Sequence, residues 1–163
     1  MSTARPPESQ LQRPLQLTPA PRLAILVSRF NTEVTHGLRD GALAWLDEHG
    51  IREVDLFDAP GAFELPLMAQ SLARTRRYEG IICLGCVIKG DTAHFEFISL
   101  GATVGLMQAQ LATGVPMAFG VLTTYDESQA QARSRDDAHN KGREAAAACV
   151  ETLSFLRETA RLT

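Results

Sequence analysis

Past residue 22 the chain alternates between short apolar runs and longer stretches with apolar residues every three or four positions. Leu23–Ser28 is almost wholly apolar, as suits a strand covered on both faces. Residues 32–49 place Val34, Leu38, Trp45 and Leu46 on one helical face, and Gly50 is the stop signal. Val54–Phe57 predicts a second, shorter strand. The Pro60-Gly61 turn then leads into a helix from about Glu64, with Pro66 tolerated in its first turn. Ile81–Ile88 is the third and most apolar strand. A long helix is predicted from Thr92 to Thr113, where Gly114 breaks it, and Met117–Leu122 is the fourth strand. Asp126–Ala132 reads as one or two helical turns. Ser134-Arg135-Asp136-Asp137 matches a capping box, so a final helix is expected to start there and run to about Arg161. Ala145, Cys149, Leu153 and Leu156 form its expected buried stripe.

Strands alternating with helices imply right-handed β-α-β units and a four-stranded parallel sheet covered on both faces, a three-layer α/β/α fold. Such folds bind ligands beyond the C-terminal ends of their strands. Four loops answer to that rule: Arg29–Asn31, Pro60–Glu64, Lys89–His94 and Thr123–Asp126. Residues 1–21 differ from the rest. They hold five of the eight prolines and three charged residues, which marks a tail preceding a domain over residues 22–163. Within the tail Leu15-Gln16-Leu17 alternates, a pattern suited to a strand added to a sheet edge.

Composition excludes several function classes. Sixteen Lys and Arg against nineteen Asp and Glu give a net charge of −3, without the basic surplus of nucleic-acid-binding domains. No apolar run approaches the roughly 20 residues that span a bilayer, and the N-terminus lacks the apolar core of a signal peptide. Cys83, Cys86 and Cys149 are too few for a disulfide framework, which points to the reducing cytoplasm. His36, His49, His94 and His139 are scattered without metal-ligand spacing, so no metal site is expected.

The candidate chemistry sits in the predicted loops. Phe30, at the end of the first strand, can stack on a flat ring or plug the end of the core. Gly61 lets the backbone turn tightly, so that its polar groups can face a ligand; Glu64 can read ring N–H groups or cap the helix that follows. Cys83 and Cys86 form a C-x-x-C, but residues i and i+3 of a strand point to opposite faces, so they read as small buried hydrophobes. Gly85-x-x-x-x-Gly90 starts like a P-loop and then fails, because Lys89 precedes the second glycine and Asp91 follows it. A single phosphate held by Thr92 and the helix N-terminus remains plausible. His94 falls in that helix's first turn, where the positive dipole end disfavours the imidazolium and leaves a neutral base. Arg133 and Lys141 are cations able to reach a phosphate from a neighbouring loop or subunit, or simply parts of a solvated charged face.

Taken together, Arg29-Phe30-Asn31, Pro60-Gly61-Ala62-Phe63-Glu64-Leu65-Pro66, Leu84 to Phe95, Phe119-Gly120-Val121-Leu122-Thr123-Thr124 and Asn140-Lys141-Gly142 resemble the 6,7-dimethyl-8-ribityllumazine synthase family, in order and spacing. The resemblance implies a flavodoxin-like fold. It also implies condensation of 5-amino-6-(D-ribitylamino)uracil with 3,4-dihydroxy-2-butanone 4-phosphate, with no cofactor. Phe30 would stack on the pyrimidine. Ala62, Phe63, Glu64, Cys86, Val87 and Ile88 would hold the ring and ribityl chain. Asp91 and Thr92 would line the phosphate site, and His94 would carry protons. Phe119 and Arg133 would come from a neighbouring subunit, Arg133 gripping the phosphate, with Lys141 a second cation nearby. Homopentamers or sixty-subunit shells are the implied assemblies, with the N-terminal segment adding a strand to a neighbour and riboflavin synthase as a candidate partner. Lys89, Cys86 and His139 depart from the arginine, threonine and glycine common at those places. A non-catalytic flavin-, lumazine- or phosphate-binding paralogue is the alternative.

Overall fold

The computed structural model describes residues 14–163. Four parallel strands, β1 (Leu23–Ser28), β2 (Val54–Ala59), β3 (Gly80–Ile88) and β4 (Met117–Thr124), form one sheet in the order β2-β1-β3-β4. The helices are α1 (Thr32–Glu48), α2 (Leu65–Arg74), α3 (His94–Thr113), α4 (Glu127–Ser134) and α5 (Lys141–Ala160). A single 3₁₀ turn, Ala62–Glu64, leads into α2, whose first turn holds Pro66.

Strand alternation divides the core into two layers. On one face Leu23, Ile25, Val27, Ile82, Leu84 and Cys86 pack against α1, α4 and α5. On the other, Ala24, Leu26, Ile81 and Cys83 pack against α2 and α3. Cys83 and Cys86 therefore lie on opposite faces, as their spacing requires. All three cysteines are free and buried. Burial pushes the Cys86 thiol up to about 11 and the Cys149 thiol up to about 12.

Three expectations are corrected. Ser134–Asp137 does not start the last helix: Ser134 ends α4, Arg135 is extended, and α5 begins at Lys141. The reason is a better cap six residues on. Buried Asn140 accepts from Gly142 N–H at 2.8 Å and Arg143 N–H at 3.3 Å, whereas the Asp137 carboxylate turns to His139 N–H in a local turn. Second, α3 starts at His94 rather than Thr92, whose hydroxyl lies 3.4 Å from the His94 N–H it accepts. Third, Leu156 is not buried with Ala145, Cys149 and Leu153; it faces a surface depression near the end of α5.

Residues 14–22 lie against the body of the domain. They form no strand with this chain's sheet: Leu15 and Leu17 pack on the α1/α5 core, Gln16 N–H bonds Ser154 Oγ, and Arg157 reaches the Gln16 and Pro19 carbonyls. The first thirteen positions of the proline-rich tail lie outside the described residues. Among the described residues, no helix is long and apolar enough to cross a membrane, and no three His, Cys, Asp or Glu side chains group to hold a metal.

Candidate active site

A cavity of about 390 Å³ opens at the C-terminal ends of β1 and β3. A larger, shallower depression of about 540 Å³ lies at the opposite pole, where α2, α3 and α5 end. The smaller cavity lies where parallel sheets bind ligands.

Its walls come from three crossings out of the sheet. Phe30 and Asn31 leave β1; Gly61, Ala62, Phe63 and Glu64 leave β2; Cys86, Val87 and Ile88 end β3, with His94 and Ile98 behind them on α3. Phe30 is 66% exposed and Phe63 59%, so neither is a core plug. Gly61 is in extended backbone that any residue adopts, so its value is space and not the tight turn expected of it. A Cβ there would stand 3.0 Å from Glu64 Oε2 and 3.4 Å from the Phe30 ring. That places the Glu64 carboxylate and the Phe30 ring on either side of an open backbone. Glu64 makes no side-chain cap to α2, which leaves its carboxylate for the cavity.

Asn31 is the residue that sequence reasoning quoted without giving it a task. It precedes α1 with φ 54° and ψ 55°, the left-handed region that asparagine tolerates better than most residues. Its Nδ2 donates to the Cys86 carbonyl at 3.0 Å, tying the end of β1 to the end of β3. An asparagine between a strand and a helix was the available signal. Ile98 was missed for lack of any.

The phosphate-loop residues sit at the rim. Asp91, Thr92 and His94 are exposed; at the start of α3 the His94 N–H donates to Thr92 Oγ1 at 3.4 Å and the Glu96 N–H to the Ala93 carbonyl at 3.1 Å. An imidazole, a hydroxyl and the start of a helix thus lie beside the ring-sized cavity, a set able to bind an oxyanion and move a proton.

The other predicted residues lie apart from the cavity in this chain. Phe119 is 44% exposed on the edge strand β4. Arg133, half-buried on α4, donates from Nη1 to the Gln129 carbonyl at 2.9 Å, and its charge helps hold the Asp126 carboxyl low. Lys141 is committed to Glu144, with both carboxylate oxygens at 2.7 Å, so its charge is neutralised locally.

Comparison with known proteins identifies the family. The profile of the 6,7-dimethyl-8-ribityllumazine synthase family matches residues 20–157. The chain is 65% identical over 139 residues to 6,7-dimethyl-8-ribityllumazine synthase 1 of Caulobacter vibrioides, covering 84% of this chain and 91% of that one. It is 47% identical to the 6,7-dimethyl-8-ribityllumazine synthase of Salinibacter ruber over 83% of this chain and 88% of the relative. For the Deinococcus deserti protein of that name the figures are 45%, 84% and 89%. With its sheet order, its cavity and these matches in agreement, the chain belongs to the 6,7-dimethyl-8-ribityllumazine synthase family.

Proposed function

We propose that this protein condenses 5-amino-6-(D-ribitylamino)uracil with 3,4-dihydroxy-2-butanone 4-phosphate, giving 6,7-dimethyl-8-ribityllumazine, phosphate and water, the penultimate step of riboflavin biosynthesis. One observation carries the reading: a cavity walled by the Phe30 ring and the backbone end of β3 opens directly onto His94 at the start of α3. A flat, polar-edged ring fits the first part and a phosphate with a labile proton fits the second.

The division of labour follows from the placement. Phe30 stacks on the pyrimidine face, while the backbone at Ala62, Phe63, Val87 and Ile88 and the Glu64 carboxylate hold its edge and the ribityl chain. The phosphate sits at Asp91 and Thr92, on the N–H groups that open α3. The uracil amine attacks the ketone carbonyl, and water leaves as the imine forms. Phosphate then departs as a carbon-bound proton is lost, the enol so formed becomes a ketone, and attack of the ribitylamino nitrogen on that carbonyl closes the second ring with loss of a second water. His94 accepts and returns protons through these steps, and the shared site supplies alignment of the two substrates.

We assign Phe119 and Arg133 to the site of a neighbouring copy. Arg133 suits this because its one hydrogen bond among the described residues goes to a neutral carbonyl, and Phe30 and Phe63 suit it because both lie open toward solvent. A homo-oligomer is further supported by one face of α3, where Phe97, Leu100, Val104, Met107 and Leu111 are all exposed at alternating three- and four-residue spacing. Leu67 on α2 extends this surface, an apolar patch of the kind monomers avoid. A pentamer, free or built into a shell, is the assembly we infer. The edge strand β2, with Leu56 half-exposed, is where a neighbour's N-terminal segment would add. The unbridged thiols support the cytoplasm as the compartment. Nothing favours a non-catalytic paralogue.

Mixing purified protein with both substrates and following lumazine fluorescence tests the proposal. Product formation well above the uncatalysed reaction is expected; a rate equal to it would sink the reading.

A further inference from the structure

The ladder between β1 and β3 ends at Val27 and Leu84, whereas β3 and β4 stay paired to Ile88 and Thr124. The stretch Gly85–Ile88 therefore has a strand neighbour on one side only. Lys89 N–H donates to the Thr124 carbonyl at 2.9 Å, toward β4. Alternate residues of a strand turn their backbone groups to the same neighbour. Cys86 and Ile88 thus turn theirs the other way, toward the space that β1 has vacated, and both residues line the cavity.

The Cys86 carbonyl is already taken. Asn31 Nδ2 bonds it at 3.0 Å, standing in for the strand that has ended. Asn31 reaches it only because its own backbone is left-handed, and the same turn sets Phe30 beside the cavity. Of the two carbonyls that face that side, that of Cys86 is taken by Asn31 and that of Ile88 is left for a ligand.

We propose that Asn31 is a positioning residue for the pyrimidinedione: by occupying the Cys86 carbonyl it leaves the ring one register on the free edge of β3, beneath Phe30. The proposal rests on the reaction given above. A pyrimidinedione carries adjacent carbonyl and N–H groups, so an edge with two equivalent backbone stations would bind it in two places. Asn31 removes one of them. The amide acts on the protein and not on the reacting atoms, so its loss falls on ring binding and not on the chemical step.

Two substitutions separate this from a structural role. Asn31→Gly accepts the left-handed backbone without strain but has no amide. Asn31→Asp tolerates that backbone and suits a helix N-terminus, but it sets a carboxylate against the Cys86 carbonyl. Were Asn31 there only for the turn and the start of α1, both variants would behave as wild type. The proposal expects KM for the pyrimidinedione to rise about tenfold in Gly, the worth of roughly one hydrogen bond, and further in Asp. It expects kcat and KM for the ketone phosphate to move by no more than about twofold, within the scatter of a single contact.

The affinity for 6,7-dimethyl-8-ribityllumazine, read by its own fluorescence, should shift in the same order without any turnover. Wild-type KM and wild-type lumazine affinity in both folded variants overturn the proposal while leaving the reaction intact. A wild-type protein that binds the lumazine with this dependence but does not turn over overturns the reaction and keeps the role of Asn31. One that neither binds nor turns over overturns both.

Discussion

The side-chain amide of Asn140, at the start of α5, donates to the backbone carbonyl of Gly37 in the middle of α1, 3.0 Å away. The same nitrogen lies 3.0 Å from the Ser134 carbonyl and 2.8 Å from that of Arg135, while the amide oxygen caps α5. Asn140 is 1% exposed, so water replaces none of these bonds. Replacing it by alanine should destabilise the fold by about 3 kcal/mol, the cost of several buried polar groups left unpaired. Aspartate should fare little better, since three carbonyls would then face a carboxylate. Urea denaturation of the two variants beside wild type checks this.

His94→Ala should lower kcat by roughly ten- to a hundredfold, the low end of general acid–base effects, with both KM values nearly unchanged. The low end is expected because His94 is exposed and solvent water stands in for part of its role. Steady-state kinetics at saturating substrates measures it, and an unchanged kcat would remove His94 from the mechanism.

Arg133→Ala should raise KM for the butanone phosphate by about tenfold or more, as the loss of a charge-assisted contact implies, and leave KM for the pyrimidinedione in place. Its guanidinium spends only Nη1 within the chain, on Gln129, so little stability is lost with it. An effect on the pyrimidinedione alone would contradict the phosphate assignment.

Acid should weaken the fold through Asp55. The Tyr78 hydroxyl at 2.7 Å and the Arg22 guanidinium at 2.8 Å hold its carboxyl below the usual range. A carboxyl depressed in the folded state stabilises fully above its unfolded pKa of about 3.9 and loses that contribution as pH falls toward the folded value. Glu48, beside Arg143, and Asp126, bonded by Ser128 and the Gln129 N–H, add to the same limb. Thermal unfolding followed from pH 6 to pH 3 (a range set by ordinary carboxyl values) should show Asp55→Asn less acid-sensitive than wild type.

The strands and the two-faced core were legible because a buried parallel strand has to be apolar along its whole length, and Leu23–Ser28 and Gly80–Ile88 are. The α4–α5 junction was not. Ser134 to Asp137 carries a good local cap signal, and it lost to Asn140 through a contact with Gly37, 103 residues distant. A Cβ on Gly142 would overlap the Leu38 carbonyl, so the fit of α5 against α1 also fixes where α5 begins. Local patterns carry no trace of such long-range fits. The site divides in the same way. Residues that end strands, such as Phe30 and Ile88, announce themselves by position. Asn31 takes its meaning from a carbonyl 55 residues away.

An unpaired backbone edge is ordinarily a hazard at the rim of a sheet, where it recruits strands from other chains. The free edge of Gly85–Ile88 lies inside the sheet, one strand in from β4 and walled by Phe30, Asn31 and Ala62 to Glu64. Because β1 pairs with β3 as far as Leu84, the open stretch is only four residues long, shorter than the usual strand. The protein thereby keeps an open segment of backbone that offers another chain little length to pair with.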